Sequence, residues 1–308
     1  MRILVTMPVG SVGKRVVREL LAPEFSVRVL TREPGRLTEE IREQVEIFRG
    51  STDDTEALLR ALDGVEAMFW CVPAEPLQVS DLQSHFERHA RAGCQALRQV
   101  GTPRVVGISA GGKGPARNAG PITGLHTMED ILNDSGAAIR HLRCGLIMED
   151  FLSQAQSISQ RGLLSYPLPE GTRIPMVAAR DIADVALRWL VRRDWTGTGE
   201  VAVHGAEDLS FGEAATVLEQ VLHRPVRYKE ASANQYIQNL VGLGASLEYA
   251  RGRVNMFSEL AQGITRAEPR TFESTTPTTL SEWAETELAS EVQALSLHAS
   301  TDTVTLSG

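Results

Sequence analysis

A doubly wound α/β fold carrying a small, mostly helical C-terminal cap is what this sequence predicts, and three observations predict it. From residue 1 to about 150, short β-branched runs alternate with helical stretches. The first strand, RILVT, runs straight into a loop with two glycines and then a helix. After about residue 150 the alternation gives way to short helices and loops.

The elements follow in order. RILVT, VRVLT, EIFRG, EAMFWCV, RVVGIS and IRHLRCG read as strands. GKRVVRELLA, LTEEIREQV, TEALLRALDG, a stretch near 80–100 and another near 126–135 read as the helices between them. Strands that alternate with helices imply right-handed βαβ units and a parallel sheet covered on both faces. Further on, RDIADVALRWLV is an amphipathic helix, EVAVHG a late strand, and FGEAATVLEQVLHRPVRYKEA a helix, turn and strand. The last stretch, SEVQALSLHASTDTVTLSG, lacks a helical period and ends in small polar residues, which predicts a mobile tail over 287–308.

Charge and cysteines narrow the function. The formal charge of -8 is spread along the chain and no run of five Lys and Arg occurs, so direct binding to nucleic acid or to an anionic membrane is disfavoured. Cys71, Cys94 and Cys144 stand far apart and read as buried thiols in a reducing compartment. No apolar run approaches the ~20 residues of a membrane helix, and the core strand starting at Ile3 leaves no room for a signal peptide. A soluble, cytoplasmic protein is expected. His85 and His89 lie four apart on one helix face, but no third ligand accompanies them, so they read as a surface pair and no metal site is expected.

The stretch TMPVGSVG at residues 6–13 carries the first chemistry. In a dinucleotide-binding turn one glycine permits the tight turn, a second admits the pyrophosphate to the main chain, and a third lets helix pack on strand. Gly10 and Gly13 can do the second and third tasks, and the helix opened by Ser11, Val12 and Gly13 offers free N–H groups to an anion. Met7 and Pro8 replace the turn-forming half, which predicts a loop that turns by another conformation. After the second strand, Thr31 and Arg32 stand where an acidic residue would take a 2'-hydroxyl, with Arg36 a turn later; a guanidinium there suits a 2'-phosphate, hence NADP(H).

These residues, with LTRE, FRGSTDD, SGAAIRHLRCGLIMEDFL, RIPMVAARDIADVA and TPTTLSEWAETEL, make the chain resemble the NmrA-like branch of atypical short-chain dehydrogenases/reductases over about 285 residues. The resemblance implies a Rossmann-type sheet with NADP(H) across its carboxyl edge and a C-terminal cap forming a substrate cleft. It implies that Gly10, Ser11, Val12 and Gly13 face the pyrophosphate, Arg32 the 2'-phosphate, Asp53 the adenine, and Val72 and Pro73 the ribose. The domains are then an NAD(P)-binding core over 1–150, and remaining core elements plus the substrate cap over 151–286. The chain departs from the family's T-G-A-T-G turn at Met7 and Pro8, and Cys144 takes the place of proline in an LRPG-like junction.

Hydride-transferring enzymes of the short-chain type use a Tyr with a Lys four residues on and a nearby Ser. Ser109, after RVVGIS, matches the serine, but the first tyrosine is Tyr166. His126 in TGLHTMEDIL is the candidate acid, oriented by Glu129 at i+3 with Asp130 beside it; the alternative is a helix-entry histidine with local hydrogen bonds. Lys113, in SAGGKGPARNAG, sits either on a lid or on a solvated loop. Trp70 and Phe151 either line an apolar pocket or pack in the core.

Three functions fit. The first is an NADP(H)-dependent oxidoreductase reducing a small carbonyl, quinone or enone. The second is an NADP(H) redox sensor without turnover that signals to a protein partner. The third is a cofactor-independent isomerase or cyclase on the same fold. The expected partner of the enzyme is a small molecule, and the expected state a monomer or homodimer.

Overall fold

The computed structural model describes residues 1–101, 103–114 and 118–304, with backbone alone over 298–304. Its strands are β1 (Arg2–Thr6), β2 (Ser26–Thr31), β3 (Glu46–Arg49), β4 (Ala67–Trp70), β5 (Arg104–Ala110), β6 (Ile139–Cys144), β7 (Leu146–Ile147), β8 (Leu163–Leu164), β9 (Arg173–Val177), β10 (Thr198–Val203), β11 (Asp208–Ser210) and β12 (Arg227–Tyr228). Its α-helices are α1 (Gly13–Glu19), α2 (Glu39–Gln44), α3 (Thr55–Leu62), α4 (Leu82–Val100), α5 (Pro121–Asn133), α6 (Ala155–Arg161), α7 (Ala179–Val191), α8 (Phe211–Leu222), α9 (Ala233–Gly242), α10 (Leu247–Ala261), α11 (Leu280–Trp283) and α12 (Ala289–Val304).

Seven strands form one parallel sheet in the order β10-β6-β5-β4-β1-β2-β3. The strand order reverses between β1 and β4, where Val5 pairs with Phe69, and a crevice opens beyond the carboxyl ends there. Period-two alternation sends neighbouring side chains to opposite faces. Ile3 and Val5 meet Val16 and Val17 of α1 and Ile182 of α7; Leu4, Met68 and Trp70 meet Leu58 of α3, Leu97 of α4 and Met128 of α5. The EVAVHG segment is β10, which returns the chain to the sheet after residue 150.

The remaining elements have an apolar core of their own, in which Phe151, Tyr166, Phe211, Phe257 and Trp283 meet. The structure corrects the tail. Where an aperiodic segment was expected, α12 runs from Ala289 to Val304. Val292 is buried, and Ser159 of α6 donates to its carbonyl at 3.2 Å. Val292 and Leu295 pack on the core of the cap, two apolar contacts in a segment whose sequence otherwise shows little helical period. Residues 305–308 lie outside the described part. No helix among the described residues is long and apolar enough to cross a membrane.

Candidate active site

A cleft of about 400 Å³ lies beyond the carboxyl ends of β1, β4, β5 and β6, between the sheet and α10. Its floor begins with the β1–α1 loop. Met7 takes φ 51°, the left-handed conformation that favours glycine, so the loop keeps a tight turn where Met7 and Pro8 were expected to impose another conformation. A non-glycine residue there costs about 1 kcal/mol. The Gly10 N–H donates to the Met7 carbonyl at 3.0 Å and closes the turn. A Cβ on Gly13 would lie 2.1 Å from that carbonyl oxygen, so only glycine lets α1 start against it.

Gly10 differs. An added Cβ would touch protein only at 3.4 Å, and the residue lines the cleft with Ser11, Val12 and Gly13. The space beside its main chain is the cradle that a pyrophosphate needs, and no side chain caps α1 at Val12. The residues present therefore fit the phosphates of a dinucleotide.

A smaller pocket adjoins the cleft and shares Met7 and Pro73 with it; Thr31, Arg32, Arg36 and Thr52 complete much of its wall. Arg32 is exposed and has no protein partner among the described residues, while Arg36 lies 3.9 Å from Glu33. Asp53, expected beside the adenine, is instead paired with Arg88 at 2.9 Å and does not line the pocket. Burial works against its charge, but hydrogen bonds from Ser51 and Arg88 leave its carboxyl below the usual range. Val72 and Pro73 do line the cleft.

The histidine pair is not on the surface. His85 and His89 are both buried; His85 Nε2 donates to the Pro73 carbonyl at 3.0 Å, and His89 Nδ1 meets Thr52 Oγ1 at 2.8 Å. Burial pushes His89 down to about 4, so it is neutral near pH 7. The pair braces the two loops that flank the pocket, a role hidden in sequence because both partners come from distant segments.

On the β5–β6 side, Ser109 lines the cleft and donates to Glu129 Oε1 at 2.6 Å. Glu129 was expected to orient His126, but it turns to the sheet. Arg143 grips it through Nε and an NH2 nitrogen at 3.1 and 2.9 Å, and Lys113 Nζ lies 3.0 Å away. Burial raises this carboxyl, and Arg143, the neighbouring charges and the Ser109 hydroxyl outweigh it, bringing it down to about 2. Arg143 also pairs with Glu268 at 3.0 Å, whose other oxygen accepts from the Gly112 N–H at 2.6 Å. Lys113 thus ties its loop down through Glu129 and Asp130; residues 115–117 of that loop lie outside the described part.

His126 does not line the cleft. A carbonyl can only accept, so its Nε2 carries the hydrogen and donates to Ala110 at 2.8 Å. Burial lowers its pKa despite the Ala110 bond and the nearby Glu129 charge, so the ring is neutral near pH 7 rather than held protonated. Arg143 is the residue that sequence reasoning missed. The signal was an arginine inside the strand IRHLRC, buried on both faces, which demands a counter-charge.

The cap wall is brought close by two glycines. A Cβ on Gly120 would lie 2.1 Å from the Gly252 carbonyl oxygen, and one on Gly252 would lie 2.0 Å from Leu82 Cδ1, so the start of α5 rests directly on α10. The next residue, Arg253, faces the cleft with Asp150, Met256 and Leu260. Trp70 and Phe151 are core residues: Trp70 packs on Gly93 and donates to Met128 Sδ at 3.4 Å, and Phe151 is fully buried in the cap. A further cavity of about 600 Å³ lies by β9 and β11, but its Arg173 and Arg270 are already paired with Glu213 and Asp208.

A doubly wound sheet with a phosphate loop at its switch point and a capped cleft defines a dinucleotide-binding protein of the Rossmann type. The chain belongs to the NmrA-like family, which it matches over residues 1–284. It is 34% identical over 234 residues to the (4-alkanoyl-5-oxo-2,5-dihydrofuran-3-yl)methyl phosphate reductase of Streptomyces griseus, covering 74% of this chain and 76% of that one. It is 28% identical over 242 residues to the NAD(P)H azoreductase of Xenophilus azovorans, covering 79% and 81%. Its fold is similar to the Citrobacter sp. triphenylmethane reductase complexed with NADP(H), with TM-score 0.76 and 17% identity over 94% of this chain and 99% of that one. It is also similar to an NADPH-dependent quinone oxidoreductase of Escherichia coli complexed with NADPH, with TM-score 0.71 and 19% identity over 95% and 99%.

Proposed function

We propose that this chain is an NADP(H)-dependent oxidoreductase that reduces a small carbonyl, quinone or enone. The observation that carries this reading is continuity. Met7 and Pro73 border both the pocket beneath Arg32 and the cleft that ends at Gly145 and Ile147, so one extended molecule can span them. Arg32, open and without a counter-ion, receives the 2'-phosphate, and Gly10 to Gly13 receive the pyrophosphate. NADPH bound there supplies a hydride to an acceptor in the cleft. Ser109 spends its proton on Glu129, so its oxygen presents lone pairs to the cleft and accepts a hydrogen bond there. With His126 turned to Ala110, the proton that completes the reduction comes from cleft water. The reductases named among the relatives support the class of reaction. We read the protein as a cytoplasmic monomer or homodimer.

Nicotinamide fluorescence during titration with NADPH and NADH tests the reading. NADPH is expected to bind at submillimolar concentration, and Arg32→Glu to weaken NADPH by tenfold or more with little effect on NADH. No NADPH binding overturns the reading in favour of a cofactor-independent cleft. Binding without turnover of quinones or aldehydes leaves the redox-sensing role, which the lack of a tyrosine beside Ser109 favours.

A further inference from the structure

Among the described residues, the lining of the cleft includes one guanidinium, that of Arg253. Arg253 lies on α10, half-buried, beside apolar Met256 and Leu260 and opposite Phe86, Ile122 and Leu125. The charged and titratable groups that act on it are Asp150 from the segment after β7, Glu75 from the β4–α4 loop, Tyr236 of α9 and Tyr249 of its own helix. The Arg253 guanidinium carbon lies 5.9 Å from the centre of the Phe257 ring. No carboxylate comes within 4.0 Å of its nitrogens among the described residues. Two arginines that do not line the cleft are directly paired: Arg15 with Glu287 at 2.6 Å, and Arg143 with Glu129 and Glu268.

A guanidinium taken partly out of water, with acids near but none in contact, keeps unspent hydrogen-bonding capacity aimed at whatever enters. Asp150 lines the same cleft but is exposed, so solvent screens its charge and leaves it a weak competitor for the guanidinium. The fork of an arginine matches a planar or tetrahedral oxyanion better than any neutral donor does.

We propose that Arg253 is the residue that orients and selects the substrate: it receives an anionic oxygen group, carboxylate, enolate or phosphate, of a small molecule whose apolar body lies on Phe86, Ile122, Leu125 and Met256. This rests on the cleft being the reductase site proposed above. It narrows the substrate to anions with an apolar body, and it assigns the selection to α10 rather than to the sheet.

Calorimetry on the full chain with 2-naphthoate and its neutral isostere 2-naphthamide tests it, with NADP+ saturating and again without nucleotide. The wild type is expected to prefer naphthoate by tenfold or more. Arg253→Met is expected to lose that preference while naphthamide and NADP+ affinities change less than threefold, and Arg253→Lys to restore much of it. Should Arg253→Met fail to fold, Arg253→Gln carries the same expectation. Equal binding of both probes by the wild type, binding of neither, or a parallel loss of both in the variant overturns the proposal. Failure of NADP+ to bind instead overturns the cofactor reading, and the probe preference measured without nucleotide still decides the role of Arg253.

Discussion

The two ends of the cleft are built in opposite ways. The end proposed for the nucleotide comes from one short loop, Met7 to Gly13, and from the turn after β2, and its shape depends on main-chain geometry. The end proposed for the substrate is assembled from Ser109, Asp150 and Arg253, and on its sheet side Ser109 is held by Glu129, which pairs with Arg143, itself paired with Glu268 far along the chain. A local loop tolerates side-chain exchange if its backbone can still adopt the required angles. A long-range network tolerates little, because each charge in it is held by another.

Removing a charge from the network should therefore have the largest effect. Glu129→Gln leaves Arg143 and Lys113 facing a neutral amide, and unfolding in denaturant is expected to show a loss of about 3 kcal/mol. The pH dependence has a definite sign. The Glu129 carboxyl sits at about 2 in the fold against 4.5 when free, so its contribution is complete above about pH 4.5 and disappears as the pH falls towards 2. The wild type should lose stability across that window more steeply than the variant. Equal acid profiles would break the contrast.

The next effect lies in the loop. Gly13→Ala places a methyl 2.1 Å from the Met7 oxygen and should cost about 2 kcal/mol along with most NADPH affinity. Gly10→Ala, with its nearest contact at 3.4 Å, should leave stability within about 0.5 kcal/mol and still weaken NADPH. Paired melts and fluorescence titrations separate the two; equal destabilisation would show that the loop is not shaped as described. The smallest effect is expected of Met7→Gly. Relief of the left-handed angle is opposed by greater freedom of the unfolded chain, so stability should change by less than about 1 kcal/mol. NADPH binding should tighten a few-fold by titration as the side chain leaves the border between pocket and cleft.

Legibility follows the same division. Strand alternation and the glycines of the first loop could be read because each depends on neighbours a few residues away. Met7 could be read only in part: sequence flags the missing glycine, but the φ of 51° is closed by the Gly10 hydrogen bond to the Met7 carbonyl and fits because Gly13 leaves room beside that carbonyl. Asp53 and Glu129 were legible as acids near the site, yet their partners Arg88 and Arg143 arrive from other elements, and those partners decide where each carboxylate turns. His126 and Glu129 share the i+3 spacing of a helix pair, but a buried arginine on the adjoining strand outcompetes a neutral imidazole for the carboxylate. Helix α12 was missed because its contacts with the cap, at Val292 and Leu295, come from a segment with little helical period in its sequence.

The contact between Gly120 and Gly252 sets main chain directly on main chain, with no flexible side chain between. Gly120 cannot gain a side chain without pushing α10 away from the start of α5, so the spacing of cap and core at this point is set by the thickness of the chain itself. Arg253 is the next residue along α10, and that spacing therefore fixes how far its side chain stands from the opposite wall of the cleft.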